Sequence, residues 1–214
     1  TADKLNAMFA GSGSNKLKLK LTDKDSTLFV LENTTPSSTV IPLSSASLAS
    51  INAYLGNRVE IDSSSGAFKA YKVTKGRLSV DKDVNLDNHT GTSISEYYRV
   101  DFLNSAVTIE AGKKMVGTDA TEIEQVIAQA NVNGGSINDI KVINNGTIDY
   151  SKKGVAAIVV DYGQATNNGL IKMDAANSST ENSIGLFGAS SSKLTNSATG
   201  EIQLGTRGVG ICGT

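Results

Sequence analysis

Three segments in the last third of the chain share one pattern of polar and apolar residues. Each starts with asparagine, passes through a turn that contains glycine and ends in a short alternating stretch; they begin at Asn144, Asn167 and Asn196. A second apolar stretch follows each segment, at 155–159, 183–187 and 208–211. The turn glycines are 23 and 31 residues apart, intervals that are typical of solenoid repeats. The pattern therefore predicts a repeat built from short stacked strands.

The repeat is predicted to form a parallel β-helix, because a unit of two short strands cannot bury its apolar face alone. Stacking places equivalent residues about 4.8 Å apart. Two interior columns are expected, one of Ile148, Ile171 and Ile202 and one of Ile158, Leu186 and Ile211. We expect the Asn-Gly pairs to supply a positive φ at the corner of each coil.

Upstream of the repeat, strand patterns persist without a regular period. Strands are predicted at 16–21, 27–31, 58–62, 68–73, 77–80, 98–102 and 106–110. Helices are predicted at 5–11, at 44–56 after an N-cap serine, and at 119–130, where Asp119 and Glu122 form a start like a capping box.

The chain is accordingly divided into three parts. Residues 1–56 are an irregular N-terminal segment with strands and short helices that caps or flanks the solenoid. Residues 57–130 are degenerate β-helix coils with a helical insertion near 119–130, and residues 131–214 are the regular β-helix repeats. The predicted fold class is all-β, a parallel β-helix with a few short flanking helices.

The composition narrows the function classes. Ser, Thr and Asn number 25, 19 and 18 of 214 residues, and the formal net charge is −1. This balance argues against binding to nucleic acid or to an anionic membrane. Cys212 is the single cysteine, which excludes an intrachain disulfide framework and a multi-cysteine zinc site. The chain begins at Thr1 and not at methionine, so we expect a processed form or a piece of a longer protein.

Candidate catalytic residues are sparse. The single histidine, His89, is interpreted as a plain loop residue, and no metal or cofactor is expected. The aspartates are spread singly, and the sequences 81–87 and 23–25 are interpreted as solvated turns, not as calcium loops. A secreted β-helix polysaccharide lyase or hydrolase is the alternative. It requires three of five aspartates to lie close together, namely Asp101, Asp139, Asp149, Asp161 and Asp174.

Candidate partner-binding residues are Tyr97, Tyr98 and Arg99, the only paired aromatics with an adjacent guanidinium. On an alternating strand one ring points out and can meet a protein or glycan; the alternative is that it packs under a loop. The row Lys16, Lys18 and Lys20 is either a ligand-binding stripe or a protective edge.

The motif Asn-x-Gly-x-Ile followed by a Gly-x-Gly-Ile-like strand, at 144–148, 167–171 and 208–211, resembles the passenger domains of large type V autotransporter adhesins, most closely those of fusobacteria. The resemblance covers 131–214 well and 57–130 weakly. It implies a right-handed β-helix stalk, exported through its own outer-membrane barrel and displayed at the cell surface. Such adhesins bind host cells or partner bacteria.

The expected function is therefore attachment without catalysis, by a segment that is outer-membrane-anchored or extracellular. Expected partners are a host-cell or bacterial surface protein or glycan, with membrane contact only through a C-terminal barrel that this sequence lacks. We expect the chain to be monomeric. The insertions 33–43, 87–95 and 175–182 are the expected recognition positions, and a pure spacer without any partner is the remaining alternative.

Overall fold

The structure is a computed structural model in which short parallel strands account for most of the described residues. Those residues are 17–32, 41–44, 48–50, 59–62, 64–74, 76–89, 91–101, 106–118, 120–130, 141–152, 154–173 and 181–214. The strands in chain order are β1 (Leu17–Leu19), β2 (Thr27–Glu32), β3 (Ile41–Ser44), β4 (Val59–Ile61), β5 (Phe68–Thr74), β6 (Gly76–Val80), β7 (Val84–Asn85), β8 (Ser93–Asp101), β9 (Ala106–Ile109), β10 (Lys114–Gly117), β11 (Glu122–Ala130), β12 (Lys141–Asn144), β13 (Thr147–Tyr150), β14 (Ala156–Asp161), β15 (Gln164–Asn167), β16 (Leu170–Met173), β17 (Ile184–Ala189), β18 (Lys193–Asn196), β19 (Glu201–Leu204) and β20 (Val209–Gly213). A short 3₁₀ helix, Leu86–His89, follows β7.

The strands form three long parallel sheets around one core. Sheet 1 has the order β2-β5-β8-β11-β14-β17-β20, sheet 2 the order β3-β6-β9-β12-β15-β18, and sheet 3 the order β7-β10-β13-β16-β19. β1 and β4 pair separately. The chain visits sheets 3, 1 and 2 in turn, so the protein is a parallel β-helix, as the sequence predicts.

Each coil contains three strands, and the expectation of two is wrong. The additional strands belong to sheet 2 and end at the repeat asparagines, as β15 (Gln164–Asn167) does. Polar residues dominate this stretch, but Ala165 points inward and both neighbouring strands pair with it. The backbone pairs with a neighbouring strand on each side, and this pairing forms a strand although the side chains have a low β-propensity.

Both predicted interior columns are confirmed by the strand register. Ile148 pairs with Ile171, which pairs with Ile202, and Ile158 pairs with Leu186, which pairs with Ile211. On the surface, Asp149 pairs with Lys172, and Lys172 pairs with Gln203. Ile148, Ile158, Ile171 and Leu186 are fully buried.

Glycine is needed at these corners because the backbones of successive coils come close together there, and not because it adopts a positive φ. The expectation of a positive φ is therefore wrong. Positive φ occurs at other described glycines, namely Gly91, Gly112 and Gly154. A Cβ on Gly169 would lie 2.1 Å from the carbonyl oxygen of Gly146 in the coil below. Only glycine allows the corners of successive coils to stack at this distance.

An asparagine ladder runs along the same corner. Asn144 donates a side-chain hydrogen bond of 2.7 Å to Asn167 Oδ1, and Asn167 donates one of 2.7 Å to Asn196 Oδ1. Asn144 and Asn167 are fully buried. A buried side-chain amide without hydrogen-bond partners is costly. The ladder supplies these partners to the asparagine amides that the tight corner places in the core.

The helix predicted at 119–130 is wrong, because residues 122–130 form β11. The capping-box pattern and the apolar spacing there resemble a helix, but β11 pairs with β8 on one side and with β14 on the other. These two ladders outweigh local propensity. Of the helix predicted at 44–56, residues 48–50 are helical, but Ser44 ends β3. Residues 5–11, 45–47 and 51–56 lie outside the described residues.

The upstream strand predictions coincide with observed strands, except that β8 begins earlier, at Ser93. The strands of sheet 1 share a bend at which two successive residues both face the core. The pairs are Tyr97–Tyr98, Ala157–Ile158 and Gly185–Leu186, all buried, and the next residue of each strand is only partly buried. Simple alternation therefore fails in the middle of this sheet.

Candidate binding face

From β6 onward, the longest stretches of sequence between consecutive strands precede or follow a strand of sheet 1. The corner between sheets 2 and 3 is short there, as between Asn144 and Thr147. The connections from β11 to β12 and from β16 to β17, by contrast, enter or leave sheet 1. Of the predicted insertions 33–43, 87–95 and 175–182, the described residues 87–89, 91–95 and 181–182 precede or begin strands of sheet 1, and 41–43 belong to β3 of sheet 2. Residues 33–40, 90 and 175–180 are outside the described residues.

We call the side of sheet 1 that points away from the core the outer face. Its residues on β5 and β8 are mostly charged, and those on β14, β17 and β20 are mostly apolar, with Asp161 of β14 in the same row as Asp101. They are Lys69, Lys72, Glu96, Arg99 and Asp101 in the charged half, and Val159, Ile184, Phe187, Val209 and Cys212 in the apolar half.

The charged half is a chain of alternating ion pairs. Lys69 Nζ lies 3.0 Å from Asp25 Oδ1 and 3.9 Å from Glu96 Oε2. Arg99 donates hydrogen bonds to both Glu96 and Asp101. Lys72 Nζ lies 2.9 Å from Asp101 Oδ2. The strand register thus places acids and bases of neighbouring coils in contact.

Burial makes these charges unequal. Asp101 is 2% exposed and Glu96 is 8% exposed, whereas the side chain of Asp25 is 78% exposed. Burial raises the pKa of Glu96 above its ordinary value, and the hydrogen bond from Lys69 lowers the pKa of Asp25. The cations stabilise carboxylates that would be costly to bury alone.

The apolar half is a ladder of side chains in register across three strands. Val159 on β14 pairs with Phe187 on β17, and Phe187 pairs with Cys212 on β20. In a second row, Ile184 pairs with Val209. Each of these side chains is partly exposed, although its neighbours along the strand are mostly core residues.

The predicted partner-binding residues occupy different environments. Tyr97 and Tyr98 are 1% and 3% exposed, so the expectation that one ring points out is wrong. The bend turns both rings to the core, where their centroids are 4.9 Å apart in an edge-on arrangement. Arg99 does lie on the outer face, but its guanidinium is bonded to Glu96 and Asp101.

The buried tyrosines form an aromatic cluster with His89. The His89 ring centroid is 6.5 Å from Phe68, 6.1 Å from Tyr71 and 6.4 Å from Tyr97. Its Nε2 is buried and has no hydrogen-bond partner. His89 therefore ends a 3₁₀ helix and packs on the core, and it is not the plain loop residue that was expected.

We expect His89 to make the protein sensitive to mild acid. Burial lowers the pKa of His89 from 6.5 to about 4, so the unfolded chain binds a proton at a higher pH than the folded one. The free energy of unfolding should fall as the pH falls from about 6.5 to about 4, by up to about 3 kcal/mol. Urea unfolding at several pH values measures this loss.

The control for this prediction is His89→Gln, which cannot take up a proton. The variant should lose less stability than the parent over the same pH range, because both chains keep every carboxylate. If the free energy of unfolding depended on pH equally in the two proteins, His89 would not be the group that causes the sensitivity to acid.

The aspartates that the enzyme alternative requires are only partly described, since Asp139 and Asp174 lie outside the described residues. Asp149 is on sheet 3 and lies 3.6 Å from Lys172 Nζ. Asp101 and Asp161 share a row of sheet 1, with the position of Ala130 between them. Among the residues that the structure describes, no group of three or more His, Cys, Asp and Glu side chains could hold a metal ion.

Other acidic residues support turns, as predicted for 23–25, whereas the segment 81–87 contains β7 and the start of the 3₁₀ helix, at the buried Leu86. Asp23 Oδ1 accepts hydrogen bonds from the N–H groups of Asp25 and Ser26. Asp87 Oδ2 accepts hydrogen bonds from both the N–H and the hydroxyl of Thr118 in the next coil. These carboxylates are engaged in backbone support.

The lysine row lies on an edge strand. β1 pairs only with β4 among the described residues, and Lys18 Nζ lies 3.6 Å from Glu60 Oε1. Lys18 and Lys20 are exposed, while Lys16 is outside the described residues. This position favours the protective-edge interpretation.

Sequence reasoning missed the ion-pair chain of the outer face. The sequence feature that could have indicated these ion pairs is the equal spacing of charged residues in two strands. Lys69 and Lys72 are three positions apart, as are Glu96 and Arg99. The pairing becomes visible only when the 27-residue offset between β5 and β8 is known.

Within the described residues, no helix is long and apolar enough to cross a membrane. Comparison of the chain with protein-family models, with curated proteins and with solved structures finds no match. The β-helix and its outer face are the features of the molecule that bear on its function.

Proposed function

We propose that the chain is a surface-exposed passenger segment of a bacterial autotransporter adhesin, which attaches cells to a host or to partner bacteria without catalysis. The observation that carries the proposal is the outer face, a seven-strand parallel surface on which apolar side chains stand partly exposed in register. The resemblance of the repeat to type V passengers supports export to the cell surface and a role in virulence. The partner is a surface protein or glycan.

The ladder geometry supports binding by a preformed surface. Strand pairing holds Val159, Phe187 and Cys212 in fixed register, so contact with a partner costs little ordering of the backbone. An aromatic side chain in a partly exposed apolar row is a favourable contact for a protein or a sugar ring. Repeated weak contacts of this kind add up when many copies line a cell surface.

The alternative, cleavage of a polysaccharide, is less well supported by the described carboxylates. Glu96 and Asp101 share Arg99, and Asp149 lies against Lys172. These ion pairs hold the described carboxylates against cations of the fold. The enzyme reading predicts that acidic polysaccharides are shortened by the protein, which a reducing-end assay detects.

Adhesion is tested with beads that carry the chain and are mixed with host epithelial cells or with bacteria. We expect binding above that of uncoated beads, and a loss of at least about fivefold for Phe187→Ser on the outer face. The matched control is Val116→Ser on sheet 3, which is 40% exposed and should bind like the parent. Circular dichroism verifies the fold of both variants.

The outcome that would overturn the proposal is binding no greater than that of uncoated beads on every cell type. Equal binding by both variants would move the contact away from the outer face. Treating the cells with protease or with periodate then separates a protein partner from a glycan.

A further inference from the structure

The side of sheet 2 that points away from the core carries a straight column in which cationic and uncharged residues alternate. From β6 to β18 the strands pair without a register shift, so equivalent residues of successive coils lie over one another. We call the first outward position of these strands the cation column, and it consists of Arg77, Ala106, Lys141, Gln164 and Lys193. A cation therefore occurs on every second coil, at a backbone spacing of about 10 Å.

The cations of this column are accessible to a ligand. Arg77 and Lys141 are exposed, although each lies on a strand that has a neighbour on both sides. Within the described part of the chain, Arg77, Lys141 and Lys193 form no ion pair. Their charges are thus not neutralised by the fold itself.

The other two sheets combine their cations with carboxylates. On the outer face of sheet 1, Lys69, Lys72 and Arg99 all contact acidic side chains. On sheet 3, Lys172 Nζ lies 3.6 Å from Asp149 Oδ2. From β6 to β18, by contrast, no outward position of sheet 2 holds an aspartate or a glutamate. A ligand with several negative charges in a line complements this surface.

A second column beside the cations offers hydroxyl groups. We call it the hydroxyl column; it is the next outward position of the same strands and consists of Ser79, Thr108, Ile143, Thr166 and Thr195. These side chains are partly exposed. Ser79 Oγ already donates a hydrogen bond of 2.7 Å to Glu110 Oε1, so the threonines are the hydroxyls that a ligand meets. A threonine hydroxyl both donates and accepts, which suits the hydroxyl groups of a sugar.

We propose that this side of sheet 2 binds a linear acidic polysaccharide that carries one negative group on every second sugar and lies along the solenoid axis. A sugar ring in such a polymer is about as long as the distance between neighbouring strands. One disaccharide therefore spans two coils, and each of its negative groups meets the next cation of the column. The threonines lie beside the polymer and form hydrogen bonds with its hydroxyl groups.

Two other anionic polymers fit this surface less well. An extended peptide presents side chains on one face at every second residue, about 7 Å apart, and this repeat does not match the spacing of the cations. A single-stranded nucleic acid gains affinity when its bases stack on aromatic side chains. The outward positions of sheet 2 from β6 to β18 include no aromatic residue.

Fluorescence anisotropy of an end-labelled hyaluronan decasaccharide tests the proposal, because this polymer carries one carboxylate per disaccharide. We expect the 214-residue chain to bind it with a Kd below about 500 µM. Lys141→Glu should raise the Kd at least about fivefold. The matched control is Lys114→Glu, which changes the net charge equally. Like Lys141, Lys114 is exposed and begins its strand, but it lies on sheet 3, and the control should bind like the parent.

Thr166→Val is the second variant, because it removes a hydroxyl without changing the charge or the approximate size of the side chain. It should weaken binding of the decasaccharide about threefold, the effect of one lost hydrogen bond. The comparison ligand is a thymidine oligonucleotide with the same number of negative charges, which should bind the parent at least about fivefold more weakly than the decasaccharide. Circular dichroism verifies the fold of each variant.

Four outcomes would overturn the proposal. They are a parent that leaves the anisotropy unchanged up to about 500 µM protein, a Lys141→Glu variant that binds like Lys114→Glu, a Thr166→Val variant that binds like the parent, and an oligonucleotide that binds as tightly as the decasaccharide. Use of this surface in attachment rests on the proposed function, but binding of the purified decasaccharide does not. Phe187→Ser, which tests adhesion through the outer face, should keep the parent affinity for the decasaccharide, so the two proposals can fail separately.

Discussion

Replacing Ile171 by aspartate should abolish cooperative folding of the regular repeats. Ile171 is fully buried and pairs with Ile148 in the coil below and with Ile202 in the coil above. The substitution leaves a cavity and buries an unpaired carboxylate, which together cost about 5 kcal/mol or more. Because each coil contacts only its neighbours, coils on both sides lose support.

Thermal unfolding followed by circular dichroism measures this effect. The control is Val116→Lys, which places a charge on a side chain that is 40% exposed and next to Asp149 on β13. We expect the control to unfold within a few degrees of the parent, since exposed substitutions change stability by about 0.5 kcal/mol or less. An Ile171→Asp protein that melts as one sharp transition near the parent temperature would refute the role of this column.

Replacing Gly169 by alanine, a change of one methyl group, should destabilise the protein by about 3 kcal/mol or more. The new Cβ would lie 2.1 Å from Gly146 O, and this oxygen belongs to backbone that accepts the hydrogen bond of Leu170 N–H. Neither group can move without breaking the stack at the corner. Urea unfolding gives the change in free energy directly.

The matched control is Gly210→Ala. A Cβ at Gly210 meets its nearest neighbour at 4.0 Å, and the residue has no positive φ. This variant should therefore unfold at nearly the parent urea concentration. If both variants lost a similar free energy of unfolding, alanine would be destabilising for a reason other than the short distance between its Cβ and Gly146 O.

The interior columns could be predicted because their residues recur at a recognisable position. Ile148, Ile171 and Ile202 each follow an asparagine and a turn, so alignment of the three segments also aligns the columns. Coil lengths of 23 and 31 residues did not disturb this alignment, since the extra residues enter at corners.

The other features depended on interactions that local sequence does not encode. β11 carries a helical spacing that pairing with β8 and β14 overrides. The two tyrosines of β8 are both buried because sheet 1 bends between them, and a period of two cannot describe a bend. The ion pair of Lys69 with Glu96 requires the coil length before the two residues can be brought together.

The parallel stacking also determines how the molecule responds to force. The hydrogen bonds between coils run along the solenoid axis, and the asparagine ladder is aligned with them. A load applied at Thr214 along that axis is borne first by the few bonds between β20 and β17, and only then by the strands beneath. The coils should therefore peel away one strand at a time, and each detached coil releases up to about 80 Å of chain. A rod built in this way resists bending along its length but unfolds gradually when it is pulled at Thr214.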